Sequence, residues 1–259
     1  MFLVKSCFRK DNATRVGTIK IGTLIEYRHT EQKQIADIDE GKFEINLDLV
    51  DVHIEEQLFN FINYSHNSYA SLYIEKWYPA GMSNVVPGCL FFKKYEARIQ
   101  FLNLNRFTFC ISSLELPEYC TDIFPDYDDY WYFNAKLSGE IAASMALSLR
   151  DEILQHEKRG EKIFIGDYDI DYLEVHPSVQ SISYQDRQLS VDNEFFYRNI
   201  KLIYNSLVGI AFLKPLSFHQ EKEIRFIFDF HCKGKLLHPK VKMIIIKVPE
   251  AISGLLHSM

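Results

Sequence analysis

Alternation of apolar and polar residues with a period of two dominates the chain. Over "KFEINLDLVDVHI" (42–54), Phe43, Ile45, Leu47 and Leu49 alternate with polar neighbours almost without error. That is the signature of a strand burying one face. Similar runs predict strands at "FLVKSCF" (2–8), "GTIKIGTLIEY" (17–27), "CLFFKKYEARIQFL" (89–102), "FTFCISSLEL" (107–116), "KIFIGDYDI" (162–170), "EIRFIFDF" (223–230) and "VKMIIIKV" (241–248). β-Branched and aromatic residues fill these runs, as a pleated, half-buried surface favours.

Two windows switch to helical spacing. In "SGEIAASMALSLRDEILQHEKRG" (138–160), Ile141, Met145, Leu149 and Ile153 form a stripe at steps of four, with Ser138 as the expected cap and Gly160 just past the end. In "DNEFFYRNIKLIYNS" (192–206), Asp192 caps and Phe196, Ile200 and Ile203 point inward. A third helix fits "EEQLFNFINYS" (55–65). Strands lead, helices fall mid-chain and strands return. This order predicts an α+β protein rather than a regular βαβ repeat. No repeat or low-complexity linker marks a domain boundary.

Composition changes this picture little. The 259 residues are 47% hydrophobic and 25% charged, with 20 Phe and 15 Tyr, enough to build a large core without covalent staples. The net charge of −6 argues against a surface coated for duplex DNA, though a local basic groove stays open. "HEKRGEK" (156–162) and "KKYEARIQFLNLNR" (93–106) are the two places where such positive charge is concentrated. Five cysteines without a C-x-x-C pair read as free thiols in a reducing, cytoplasmic setting. The N-terminus does not read as a signal peptide, and no apolar run approaches the length of a membrane span.

Phosphate-loop, dinucleotide-fold, zinc-protease and nucleophile-elbow motifs are missing from the sequence. Asp167, Asp169 and Asp171 in "GDYDIDY" have the spacing of metal ligands, and equally that of a strand's solvent face; no metal is expected. The carboxylate-rich "YCTDIFPDYDDYWYF" (119–133) offers Tyr and Trp that suit docking of a partner, or packing at a loop or edge. Arg9 and Lys10 end the first strand, and Tyr27 and Arg28 end the second. Arginine suits bidentate phosphate binding, and a tyrosine ring stacks on a flat heterocycle.

The sharpest feature is "FHQEKEIRFIFDF" (218–230). Ile224, Phe226, Phe228 and Phe230 share one face, and Glu221, Glu223 and Arg225 the other. One reading makes the acids solvated, pairing with Arg225 for less than about 1 kcal/mol. The other makes them chemical, two carboxylates on one face each raising the other's pKa.

Three pieces, "FRK…TIKIGTLIEYR…IADIDEG" (8–41), "FTFCISSLE…DDYWYF" (107–133) and "FLKPLSFHQEKEIRFIF" (212–228), give the chain a resemblance to the ADP-ribosyltransferase superfamily. It is most similar to a bacterial branch found in toxin and phage-defence loci, DarT-like or CmdT-like. The resemblance implies one domain over residues 1–259, with a mixed, mostly antiparallel split β-sheet and flanking helices. It implies NAD⁺ as substrate, no metal, and Glu223 stabilising a ribosyl cation while Glu221 orients the acceptor. Arg9, Tyr27 and Arg28 would hold NAD⁺, with Ser112 of "ISS" a weak echo of a further motif. Where relatives carry His-Tyr-Glu this chain carries Arg-Tyr-Glu. The implied acceptor is a nucleic acid, RNA before single-stranded DNA, and an antitoxin or regulatory protein is an implied partner. An NAD⁺ glycohydrolase, a protein-modifying transferase and a non-catalytic sensor module remain alternatives.

Overall fold

The structure, a computed structural model, describes residues 1–29, 36–63 and 70–258, with the side chains of residues 84 and 85 left aside. It is an α+β protein whose sheets are mostly antiparallel. In chain order the strands begin with β1 (Phe2–Cys7), β2 (Thr18–Thr23), β3 (Lys42–Glu55), β4 (Ala70–Ala80), β5 (Ser83–Val86) and β6 (Cys89–Asn103). The middle of the chain holds β7 (Phe107–Leu114), β8 (Asp129–Asn134), β9 (Leu173–Ser181), β10 (Ser183–Tyr184) and β11 (Gln188–Val191). The series closes with β12 (Leu213–Lys214), β13 (Glu223–Cys232), β14 (Lys235–Leu237), β15 (Met243–Lys247) and β16 (His257–Ser258). The α-helices are α1 (Ala13–Val16), α2 (Leu24–His29), α3 (Glu56–Asn63), α4 (Cys120–Ile123), α5 (Ser138–Lys158), α6 (Asn193–Val208) and α7 (Glu250–Ser253).

The chain forms two compact units. One comprises Met1–Glu40, Asn105–Ile182 and Ser217–Met259, and the other Gly41–Leu104 and Ser183–Leu216. The first is built on a nine-stranded sheet with the order β14-β13-β7-β1-β8-β16. β9 runs along the far edge of β13, and β2 carries β15. Both β1 and β2 pair with β7 on the edge that β13 leaves open. β1 takes residues Ser112–Leu114, and β2 takes only Phe107 and Thr108. The sheet therefore forks around residues 109–111 of β7.

One face of this sheet is apolar and receives α5. Ile141, Met145, Leu149 and Ile153, the predicted stripe, are buried with Phe107, Phe109, Phe226, Phe228 and Phe230. The helix begins one residue beyond the 3-10 turn Ala135–Leu137, so Ser138 is its first residue and not its cap. Asn134, which caps that 3-10 turn, makes the stop-and-start instead.

The second unit is a five-stranded sheet, β11-β3-β6-β4 with β5 on β6. Phe43, Ile45, Leu47 and Leu49 face its core as their alternation predicts, beside Phe92, Tyr95 and Ile99 from β6. From α6 come Phe196 and Ile203, and Asp192 caps that helix by accepting from Phe195 N. The third predicted helix is present as α3, with residues 64–65 of its window lying outside the described residues.

Two expected strands are corrected. The run 17–27 stays extended only to Thr23 and then coils into α2. Leu24 N donates to Arg106 O, and Ile25 N to Asn105 Oδ1, which pulls the backbone out of the sheet. The Glu26 carboxylate folds back over Gly22 and would have to shift to admit a Cβ there. The run 162–170 forms only an isolated bridge between Phe164 and Pro239, since Gly166 takes a left-handed φ of 82° that reverses the chain. Asp167, Asp169 and Asp171 thus sit in a turn, not on a strand face. Among the described residues no cluster of three or more His, Cys, Asp or Glu is arranged to hold a metal.

Candidate functional site

The start of β13 differs from its pattern-based reading in one respect that matters. Glu223 is the first strand residue, whereas Glu221 ends a 3-10 helix, Leu216–Glu221. Lys222 between them adopts a left-handed φ of 46°, which breaks the two-residue alternation. Its carbonyl accepts from Ser113 N, locking the reversal onto β7. The acids are not solvated either. Glu221 and Glu223 are both buried, and Glu223 is only 4% exposed.

From Glu223 onward the alternation holds. Phe226, Phe228 and Phe230 enter the apolar core, while Glu223, Arg225, Asp229 and His231 occupy the other face. Antiparallel register places Ser112 beside Glu223 and Cys110 beside Arg225 on that face. Arg225 is 1% exposed and its guanidinium lies between two carboxylates. Nε donates to Glu223 Oε1 at 2.8 Å, Nη1 to Glu40 Oε1 at 2.8 Å and Nη2 to Glu40 Oε2 at 3.4 Å. Burial alone would lower the arginine's pKa. Glu223 and Glu40 outweigh it and hold the guanidinium well above its ordinary value.

Glu40 comes from the "ADIDEG" turn. Asp37 N donates to Tyr27 O, Glu40 N donates to Asp37 O, and Arg28 Nε donates to Glu40 O at 2.6 Å. The turn is thereby fastened to α2, and the first sequence piece is joined to the third. The polar segment 30–35 that precedes the turn lies outside the described residues.

Tyr27 is on α2 rather than on the second strand, yet it lies at the sheet fork. Burial pushes its hydroxyl well above the usual tyrosine range, reinforced by a hydrogen bond with the Cys110 thiol and by the charge of Glu223. Lys5 reaches the same gap from β1. Its Nζ donates to Cys110 O at 2.8 Å, satisfying a carbonyl of the residues that the fork leaves between β1 and β2. Burial lowers the Lys5 pKa, opposed by Cys110 and Glu223 and assisted by Lys20. The fork therefore gathers Lys5, Tyr27, Cys110, Ser112 and Glu223, with Arg225 and Glu40 behind.

Arg9 opens the 3-10 turn Arg9–Asp11. It is exposed beyond the end of β1, its backbone N donates to Asp128 Oδ1 at 2.7 Å, and it lines an open depression of about 460 Å³ with Phe8, Lys10 and Asp128. Trp131 of the proposed docking segment is 2% exposed inside the core, which corrects the docking reading for that residue. It stacks on Phe109 and Phe133.

Both basic stretches carry acids close to their positive charges. On β6, Lys94 pairs with Asp48 and Glu96, and Arg98 with Glu44 and Glu75. Arg106 makes a buried two-point ion pair with Asp229. In 156–162, His156 pairs with Glu161, Arg159 with Glu152 and Lys162 with Asp167. These ion pairs offset part of the positive charge of both stretches.

Lys5, Glu40, Cys110 and Asp229 escaped the sequence reading. Asp229 carried a signal, because it continues the parity of Glu223 and Arg225. Glu40 lay inside the first quoted piece, but its pairing with Arg225, 185 residues away, carried no signal. The chain matches no family model, no curated protein and no solved structure. No helix among the described residues is long and apolar enough to cross a membrane.

The far end of this polar face makes a pH prediction. His231 and His238 each bury Nδ1 with no hydrogen-bond partner among the described residues. Burial lowers both pKa values, with His176 adding to the effect at His231 and Arg106 at His238; a hydrogen bond with the Asn105 backbone opposes it at His238, and Asp229 at both. As pH falls below the ordinary value of 6.5, the unfolded chain takes up protons that the folded chain refuses. The unfolded state then binds more protons, so stability falls with pH in that window. The urea midpoint should drop between pH 7.5 and pH 5.5, and the drop should shrink in a His231→Gln, His238→Gln double variant. An equal drop in both proteins would refute the assignment.

Proposed function

We propose that the chain is a mono-ADP-ribosyltransferase that uses NAD⁺, acting as a bacterial toxin or antiphage effector. The carrying observation is the placement of Glu223. It is a buried carboxylate at the head of β13, beside Ser112 and within electrostatic reach of Tyr27 and Lys5, at the fork of the sheet. In this reading the bond between nicotinamide nitrogen and ribose C1′ breaks, and nicotinamide leaves with the electron pair. The ribose carries the positive charge until an acceptor oxygen or nitrogen attacks C1′ and gives up its proton. A fixed carboxylate stabilises such a cation without reorganising at the moment of reaction. Tyr27 supplies an aromatic face for nicotinamide. Arg28, Arg9 and Ser112 remain the proposed contacts to the rest of NAD⁺, and Glu221 the residue that orients the acceptor.

The acceptor in this proposal is a single-stranded nucleic acid, RNA before DNA. Exposed Tyr73, Trp77 and Tyr78 on β4 support it, because every base has a face that stacks on an aromatic ring. The paired lysines and arginines of β6 lend it no support. An antitoxin or regulatory protein that restrains the activity, and a cytoplasmic location, belong to the same proposal.

A second reading rests on the burial of Glu223. A carboxylate 4% exposed and paired with an arginine also suits an internal structural triad in a non-catalytic sensor module. The discriminating experiment incubates folded protein with radiolabelled NAD⁺ and separate pools of RNA, single-stranded DNA and protein. Label should move to a nucleic acid, and Glu223→Gln should abolish the transfer. Release of nicotinamide with label left on free ADP-ribose identifies a glycohydrolase, and label on the protein pool a protein-modifying enzyme. Neither transfer nor release would leave the sensor reading standing.

A further inference from the structure

The geometry points to Arg225, braced by Glu40, as the positioning residue of Glu223, an inference that rests on the ADP-ribosyl-transfer reading. The three groups form one chain of contacts, carboxylate to guanidinium to carboxylate, and none is more than 4% exposed. Arg225 and Glu223 sit two residues apart on β13, so their side chains leave the sheet on the same side. Among the described contacts, Nε faces Glu223 while the terminal nitrogens face Glu40.

That division of labour has a consequence. The Glu40 carboxylate engages both terminal nitrogens and so fixes the plane of the guanidinium. With the plane fixed, Nε presents its hydrogen to Glu223 Oε1 from one direction only, and the carboxylate is held in a single orientation. The nearby positive charge also favours its ionised form. A lysine at position 225 would keep the charge and lose the fork. The turn bearing Glu40 is itself tied to α2 through Tyr27 O and Arg28. The brace and the aromatic residue of the fork are therefore set by the same short segment.

The test uses steady-state nicotinamide release by the full chain, with active protein quantified by circular dichroism and thermal melting. Wild-type turnover is measured first, because its absence would refute the function itself and the positioning role with it. Given an active wild type, Arg225→Lys should lower kcat by about 100-fold, the scale of a misplacement of roughly 1 Å, with KM within about two-fold. Glu40→Gln, which keeps one oxygen acceptor, should fold more readily and lose less, on the order of 10-fold in kcat. Arg225→Gln should move the acid limb of the kcat profile upward by at least about one pH unit, as removal of a neighbouring positive charge demands. A merely structural triad predicts lower melting temperatures with an unchanged pH profile and unchanged kcat per folded molecule. That result with an active wild type would overturn the positioning role and leave the reaction standing.

Discussion

Arg225→Met should cost the fold about 3–5 kcal/mol, the penalty for stripping a buried charge of its partner. The substitution keeps apolar bulk and deletes the guanidinium between two carboxylates that are 1% and 4% exposed. Glu40 and Glu223 would then face each other across a dry gap. Either they take up protons or the region opens to water, and both responses lower stability. In a chain of this size the melting temperature should fall by roughly 10 °C. Replacing the acids as well, in Glu40→Leu, Glu223→Leu, Arg225→Met, should restore part of the loss, since well-packed apolar residues often substitute for a buried ionic cluster. A single Arg225→Met variant within about 1 kcal/mol of wild type by urea titration would show that the cluster is not closed in solution.

Glu223→Gln should reduce nicotinamide release by about 100- to 1000-fold, the usual effect of deleting one preorganised electrostatic contact to a transition state. The amide is nearly isosteric and still offers an oxygen to Arg225 Nε, so the fold should survive with a modest loss. Retained stability with lost turnover is the signature of chemistry. Retained turnover would assign the burial of Glu223 to architecture alone.

Much of this architecture was readable from alternation. Phe43 to Leu49 and Phe226 to Phe230 follow a strict period of two because each strand meets one apolar core on one side. The stripe on α5 was readable for the same reason at the helical period. Where the reading failed, a local backbone event intervened. The backbone of residues 24 and 25 turned to Arg106 and Asn105 to begin α2, Gly166 reversed the chain after Phe164, and Lys222 left the extended region between two acids. None of these changes the apolar pattern, so a pattern-based reading passes over them.

The site was half legible for a different reason. Glu223, Ser112, Tyr27 and Arg28 meet or adjoin at the fork and its brace, and all were singled out from sequence. Lys5 and Glu40 were not, because what makes them part of the site is distance along the chain turned into contact. A lysine two-thirds of the way along a strand looks solvated until its strand is seen to diverge from a neighbour. The solvated reading of the acids failed likewise, because strand alternation says which side a residue faces but not what covers that side.

The order in which the sheet is assembled follows from its topology. β13 lies between β7 and β9 for half of its length, yet it follows both in the chain. A nascent polypeptide emerging from the ribosome therefore carries one edge of β7 uncovered for more than a hundred residues before β13 exists. Such long-range pairing is slow and leaves intermediates open to aggregation. A ribosome halted ahead of Glu223 would release a chain with its keystone missing. We expect such truncated products to be claimed by chaperones and proteases rather than to persist.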